Sequence, residues 1–117
     1  MDDAPVHSAE SALGTDVAAQ TLAHGARTYR EFLRVPALSL GLFAPPAGHD
    51  DTQQPHEQDE VYVVLGGRAV LEIDGVGSPA APGSIAYVPA RVPHRFVGIT
   101  EDLQVVVLFA PPEAPEG

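Results

Sequence analysis

The sequence predicts one small all-β domain, either a sandwich or a barrel. The 117 residues are the usual length of a single domain. Through the middle of the chain, short runs rich in β-branched and aromatic residues alternate with Gly, Pro and Asp-Gly turn signals. No sustained apolar repeat of three to four residues appears there, as a helix would require. Many short strands at this spacing are typical of sandwiches and barrels.

Seven of these runs are predicted to be strands: residues 29–35, 37–43, 61–65, 69–73, 84–88, 94–97 and 103–109. Gly66-Gly67 and Asp74-Gly75 are interpreted as turns, because glycine adopts the positive φ that tight turns need. Residues 26–110 are therefore assigned to the barrel. Residues 1–25 are expected to form an N-terminal arm, and residues 111–117, which include three prolines, a flexible C-terminal tail.

The runs at 61–65 and 103–109 are apolar on both faces of the predicted strand. A strand with one face in solvent would instead alternate apolar and polar residues. The outer faces of these two strands are therefore expected to be covered by a second sheet, by the N-terminal arm or by another subunit. On this basis we predict a homodimer.

Composition and charge exclude several classes of function. The chain has no cysteine, so any metal must bind to His, carboxylate or amide groups or to water. A net charge of −10, with six arginines and no lysine, repels phosphate backbones and argues against nucleic-acid binding. No run approaches the ~20 apolar residues of a membrane-spanning helix, and the N-terminus is acidic where a signal peptide is basic. We therefore expect a cytoplasmic protein that does not contact membranes.

Two histidines and one glutamate stand at the edges of predicted strands. Glu60 is the last polar residue before the apolar run at 61–65, His56 precedes Glu60 by four positions, and His94 follows a proline at a predicted turn. Each histidine taken singly is better explained as a half-buried, hydrogen-bonded imidazole. Together, two imidazoles and one carboxylate have the composition of the facial triad that leaves open positions on non-haem iron. Zinc, manganese and nickel accept the same ligands.

The spacing of these residues resembles the two motifs of the cupin superfamily. The first motif is represented by His56, Glu60 and Gly67. The second motif is represented by Gly83, Pro89 and His94. The resemblance covers about residues 37–110 and is to small single-domain bacterial cupins. It implies a double-stranded β-helix, or jelly-roll, barrel in which His56, Glu60 and His94 converge on one divalent ion (Fe, Zn, Mn or Ni).

One position departs from the family pattern, because Gln54 stands where the first motif has another histidine. In a strand, Gln54 and His56 would face the same side, since they are two residues apart. Gln54 is therefore predicted to be the fourth metal ligand. Gln53 is the alternative, although it would need a bulge in the strand. An amide oxygen is a weaker ligand than imidazole for softer ions.

The strand period also predicts two side chains near the metal. If Glu60 and His94 point inward, Tyr62 and Phe96 do so as well and would line a substrate pocket, or would simply pack in the core. The residue set favours a metal-dependent enzyme, of the dioxygenase or isomerase/lyase type, acting on a small organic molecule. The alternative is a non-catalytic module that binds a small ligand beside a weak or vestigial metal site.

Overall fold

The computed structural model describes residues 28–113, which form six strands. The strands are β1 (Tyr29–Val35), β2 (Leu38–Phe43), β3 (Asp59–Ile73), β4 (Val76–Ala80), β5 (Ile85–Val88) and β6 (His94–Ala110). The predicted arm at residues 1–25 and residues 114–117 of the predicted tail lie outside the described residues. Within the described part of the chain, no helix has the length and apolar character needed to cross a membrane.

All pairings between strands are antiparallel, in the order β1-β2-β6-β3-β4, with β5 also paired to β3. The two longest strands, β3 and β6, pair from Asp59 opposite Ala110 to Ile73 opposite His94. The first half of β3 has β5 on its other edge, and the second half has β4. The predicted all-β fold is confirmed, and the architecture is that of a jelly-roll barrel.

The long strand β3 corrects one prediction, because Gly66-Gly67 is not a turn. The register between β3 and β6 shifts around these two residues, so they form a bulge within a continuous strand. Gly67 has φ of 90°, and a Cβ there would overlap the backbone of Asp102 on β6. The predicted strands at 61–65 and 69–73 are therefore one strand, and those at 94–97 and 103–109 are likewise one.

The turn between β3 and β4 follows the sequence rule for tight hairpins. Asp74 and Gly75 have φ of 52° and 82°, the positive values of a two-residue turn that suits the twist of paired strands. The strand that follows, β4, was not predicted, because its residues Gly77, Ser78 and Pro79 are typical of loops. It contributes little to the core, since only Ala80 of its five residues is buried.

The barrel interior is filled from β3 and β6, whose buried residues alternate with less buried ones. The core cluster is Tyr62, Val64, Ala69, Leu71, Ala80, Val88, Phe96, Ile99, Leu103, Val105, Val107 and Phe109. Because the side-chain period of a strand is two, Glu60 on β3 faces the same interior as Tyr62. Glu60 is thereby held inside the barrel, at the start of β3, between Val88 of β5 and Phe109 of β6.

Candidate metal centre

His94 is the first residue of β6 and is fixed by the turn before it. Its Nδ1 lies 2.9 Å from the carbonyl oxygen of Val92, so Nδ1–H donates to that carbonyl. The turn is held in place because the backbone N–H of Asp74 donates to the carbonyl of Pro93 at 2.8 Å. With Nδ1 occupied in this way, the Nε2 lone pair of His94 faces the barrel interior.

Glu60 presents its carboxylate to this nitrogen. Glu60 Oε1 lies 3.0 Å from His94 Nε2, and the two side chains are 2% and 1% exposed. Although it is this close, Oε1 makes no hydrogen bond within the described residues. A buried carboxylate is costly unless a cation or a donor compensates its charge.

His56 comes from the loop between β2 and β3. Its backbone carbonyl accepts a hydrogen bond of 2.7 Å from the N–H of Arg91, which ties the loop to the turn that precedes His94. The His56 ring packs edge-on against Phe109, with ring centroids 5.0 Å apart. Its Nδ1 lies 3.0 Å from Glu113 Oε2, which leaves Nε2 directed at the same interior space.

The amide oxygen at the cluster belongs to Gln53 and not to Gln54, so the preference for Gln54 is corrected. Gln53 Oε1 lies 3.2 Å from His56 Nε2 and 3.1 Å from His94 Nε2, whereas Gln54 is exposed. The prediction assumed a strand, but residues 50–58 form no strand, so the two-residue period does not apply there. Gln53 reaches the centre without the bulge that strand geometry would have required.

Asp51, which the sequence interpretation assigned no role, orients Gln53. Asp51 is 5% exposed, and its Oδ2 accepts from Gln53 Nε2 at 2.7 Å and from the backbone N–H of Phe96 at 2.8 Å. Because the amide nitrogen donates to Asp51, the amide oxygen is the atom that faces the histidines. The one sequence signal was the position of Asp51 two residues before Gln53, since Asp side chains commonly bond to backbone N–H groups two residues on.

Four lone-pair atoms therefore converge at this end of the barrel: Gln53 Oε1, His56 Nε2, Glu60 Oε1 and His94 Nε2. The potential ligand atoms of His56, Glu60 and His94 all lie within 4.8 Å of one another. Two ligands at right angles on a divalent ion, with bonds of about 2.1 Å, are about 3.0 Å apart. The separations of 3.0, 3.1 and 3.2 Å match that spacing. The donor set fits a divalent cation.

The surroundings of His94 favour positive charge at this point. Burial alone lowers the pKa of the imidazole, but the adjacent Glu60 carboxylate and the hydrogen bond to Val92 outweigh it. The net effect raises the pKa of His94 above the usual 6.5. The His94 imidazole therefore takes up a proton more readily beside the buried carboxylate than an isolated imidazole would.

A cavity of about 200 Å³ opens beside three of the four donor residues, Gln53, His56 and Glu60. Its lining residues are Tyr29, Phe43, Gln53, His56, Glu60, Tyr62, Val107, Phe109 and Glu113. Tyr62 is among these residues. Phe96, for which pocket lining and core packing were both considered, is fully buried, with its ring centroid 5.9 Å from that of Phe43 and 5.0 Å from that of Tyr62. Phe96 is a core residue because Tyr62 and Phe43 pack over its ring.

The first residues of the predicted tail make contacts with the barrel and the site. Glu113 contacts His56 through its carboxylate, and its backbone carbonyl accepts a hydrogen bond of 2.6 Å from Arg34 Nη2. The carbonyl of Pro112 accepts from Gln58 Nε2 at 3.5 Å. Glu113 therefore belongs to the wall of the site, a placement for which the sequence contained no signal.

Comparison with known proteins agrees with this architecture. Residues 41–111 match the sequence model of the cupin domain. An uncharacterized protein from Streptomyces coelicolor is 50% identical over 86 residues, which cover 74% of this chain and 82% of that protein. The structure of KdgF from a Halomonas species is similar with a TM-score of 0.66 and 25% identity, over 71% of this chain and 76% of that one.

Other solved structures extend the similarity of the fold. A protein from Bacillus halodurans aligns over 91% of this chain and 87% of its own, with a TM-score of 0.70 and 18% identity. The DMSP lyase DddQ from Ruegeria pomeroyi aligns over 64% of this chain and 39% of its own, with a TM-score of 0.60 and 24% identity. The cupin sequence match spans more than half of the chain, and it covers the strands that carry Glu60 and His94. The chain therefore belongs to the cupin family.

Proposed function

We propose that the protein binds one divalent metal ion and is a metal-dependent enzyme acting on a small organic molecule, of the dioxygenase or isomerase/lyase type. The ligands would be His56, Glu60 and His94, with Gln53 as the fourth. The observation that carries the proposal is the convergence of four lone pairs on one point. Both histidines use Nδ1–H for outward hydrogen bonds, which is the arrangement that metal-binding histidines adopt.

When bound, a divalent ion supplies Lewis-acid polarisation of a substrate oxygen or, with iron, redox chemistry. The chain contributes one anionic ligand, Glu60, and three neutral ones. The charge of a divalent ion would therefore be only half compensated, which favours a substrate that presents an oxygen to it. Asp51 keeps Gln53 oriented, and the Tyr62 hydroxyl lies 3.4 Å from Gln53 Oε1, to which it donates.

The pocket wall indicates the class of substrate. Phe43, Val107 and Phe109 provide apolar surface, and none of the described lining residues is Lys or Arg. The hydroxyl of Tyr29 is buried and has no hydrogen-bond partner within the described residues. Burial raises the pKa of Tyr29 far above its usual value, so the phenol stays protonated and can donate. These features favour a small, largely apolar molecule whose oxygen accepts a hydrogen bond from Tyr29.

Metal analysis with a matched control tests the site. Purified protein supplemented with iron or zinc should retain about one ion per chain. The double variant His56→Ala/His94→Ala should retain almost none, whereas His49→Ala should match the wild type, because His49 lies in a loop outside the cluster. Full metal content in the double variant would show that the ion binds elsewhere.

The second candidate function is a non-catalytic module that binds a small ligand beside a weak metal site. The observation that favours it is Gln53, whose amide oxygen occupies a place where an imidazole would bind softer ions more tightly. Metal content well below one ion per chain after supplementation would support this module. Oxygen uptake by the iron form in the presence of a substrate would establish the oxygenase.

We also infer that two copies of the chain associate through the outer face of the barrel. Ile85 and Tyr87 on β5 are 73% and 56% exposed, and they lie opposite Val63 and Val61 on β3. This apolar strip is the kind of surface that subunit contacts cover. Light scattering after size-exclusion chromatography should give about twice the chain mass of 12.2 kDa, and a mass of one chain would refute the dimer.

A further inference from the structure

We propose that Glu113 is a positioning residue for His56, so that residues near the C-terminal end of the chain complete the metal site. This inference rests on the proposed metal site and adds a residue outside its ligand set. Glu113 lies beyond the last strand, and neither the spacing of the two motifs nor the predicted barrel includes it.

The contact between the two side chains determines which nitrogen of His56 is available. Glu113 Oε2 lies 3.0 Å from His56 Nδ1, and the side chains are 36% and 20% exposed. A carboxylate accepts only when Nδ1 carries the proton, so the lone pair of His56 is placed on Nε2. Carboxylates that bond in this way to metal-binding histidines fix the tautomer and ring orientation and raise the basicity of the ligand.

In the two histidines, different acceptors hold the proton on Nδ1 and leave the lone pair on Nε2. His94 begins a strand, and the carbonyl of Val92, only two residues away, holds its Nδ1. His56 lies in a loop without regular structure, and the acceptor for its Nδ1 comes from Glu113, 57 positions further along the chain. Glu113 thus does for His56 what the Val92 carbonyl does for His94.

The backbone of Glu113 is itself anchored, which keeps the residue beside His56. The Glu113 carbonyl accepts from Arg34 Nη2 at 2.6 Å. Arg34 is in turn held on β1 by two hydrogen bonds to Glu31, of 3.0 and 2.8 Å. Because this anchor uses the backbone of residue 113, a change of the Glu113 side chain leaves it in place.

The experiment measures Zn²⁺ affinity by competition with a chromophoric chelator, using the full chain. Loss of a carboxylate behind a histidine ligand weakens metal binding by ~10–100-fold, and the exposure of Glu113 places Glu113→Ala near the tenfold end. Glu113→Gln keeps a neutral oxygen acceptor. Because a neutral hydrogen bond is roughly half as strong as a charged one, this variant should lose only about threefold.

Two controls separate positioning from charge and from folding. Glu57→Ala removes a carboxylate one residue from His56, but Glu57 is exposed and paired with Arg91, so zinc affinity should stay within about twofold. The urea midpoint of metal-free Glu113→Ala should equal that of the wild type, since the Arg34 anchor is retained. A purely structural role would lower that midpoint.

The outcomes distinguish this inference from the proposed function. If the wild type binds no zinc, the proposed metal site fails, and the role of Glu113 fails with it. If the wild type binds zinc and Glu113→Ala binds it within twofold as tightly, the site stands and the positioning role alone is refuted. Equal losses in Glu113→Ala and Glu57→Ala would also refute it, because any nearby negative charge would then be enough.

Discussion

Replacing Asp51 with Ala should both destabilise the fold and weaken the metal site. Asp51 is buried, and its carboxylate joins two parts of the chain that lie far apart in sequence. Its Oδ2 accepts from Gln53 Nε2 at 2.7 Å and from the backbone N–H of Phe96 at 2.8 Å. The first hydrogen bond orients a proposed ligand, and the second satisfies a buried backbone donor on β6.

The size of the effect follows from these two bonds. Hydrogen bonds to a charged group contribute about 1.5–3 kcal/mol each, so Asp51→Ala should lower the free energy of unfolding by roughly 3–6 kcal/mol. Total stabilities are about 5–15 kcal/mol, so this loss is a large fraction of the total. Asp51→Asn keeps the shape and one acceptor, and should lose about half as much. Urea unfolding of the metal-free proteins, followed by circular dichroism, measures both values.

The neighbouring residue provides the control. Asp50 carries the same charge but is exposed, so Asp50→Ala should change stability by less than about 0.5 kcal/mol. If Asp51→Ala and Asp50→Ala unfold at the same urea concentration, the Asp51 carboxylate does not hold the loop to β6. The derived orientation of Gln53 would then have no support.

Three further predictions concern single positions. Gln53→Ala should weaken Zn²⁺ binding about tenfold, or ~1.4 kcal/mol, whereas Gln54→Ala should leave it unchanged. Competition with a chelator measures both affinities, and equal effects would contradict the assignment of Gln53 as the fourth ligand. Gly67→Ala should lower the free energy of unfolding by about 2–4 kcal/mol, because a Cβ there overlaps the backbone of β6. Gly75→Ala should lower it by only about 1 kcal/mol, because Gly75 has a positive φ but open space around it. Urea unfolding measures both values. Burial, and then nearby carboxylates, raise the pKa of Tyr29 above its usual 10.0, so the stability it contributes is present below pH 10 and lost as pH rises further. The free energy of unfolding of Tyr29→Phe should therefore fall less steeply with rising pH than that of the wild type, by up to ~1.4 kcal/mol per pH unit. Urea unfolding between pH 9 and 11 measures this. A stability difference between the two proteins that does not change with pH would refute the prediction.

The sequence predicted strands well where local patterning determines them. The run at 29–35 coincides with β1, and Asp74-Gly75 forms the expected hairpin turn. The sequence was misleading where pairing with a distant strand decides whether a segment forms a strand or a turn. Gly66-Gly67 has turn composition but continues β3, because β6 pairs with that strand on both sides of the bulge. The loop-like composition of β4 is overridden in the same way by its ladder with β3.

At the candidate site, spacing along the chain selected the residues that the fold brings together. His56, Glu60 and His94 converge although 38 positions separate the first from the last. Val88 on β5 pairs with Glu60, and the turn that follows β5 leads directly into His94. The same turn holds the His56 loop through the hydrogen bond from the Arg91 N–H to the His56 carbonyl. Their binding of a metal stays a prediction. The choice between Gln53 and Gln54 depended on the shape of an irregular loop, to which the two-residue side-chain period of a strand does not apply. The role of Glu113 could not be found from the sequence, because Glu113 and His56 are 57 positions apart and no periodic pattern links them.

A crystal structure of the protein with Zn²⁺, with anomalous data collected at the zinc edge, tests the metal site most directly. We predict one strong anomalous peak per chain, about 2.0–2.2 Å from His56 Nε2, His94 Nε2 and a carboxylate oxygen of Glu60, with Gln53 Oε1 as the fourth protein ligand. Coordination through Nδ1 of either histidine, a bond to Gln54, or the absence of a peak between these residues would contradict the account.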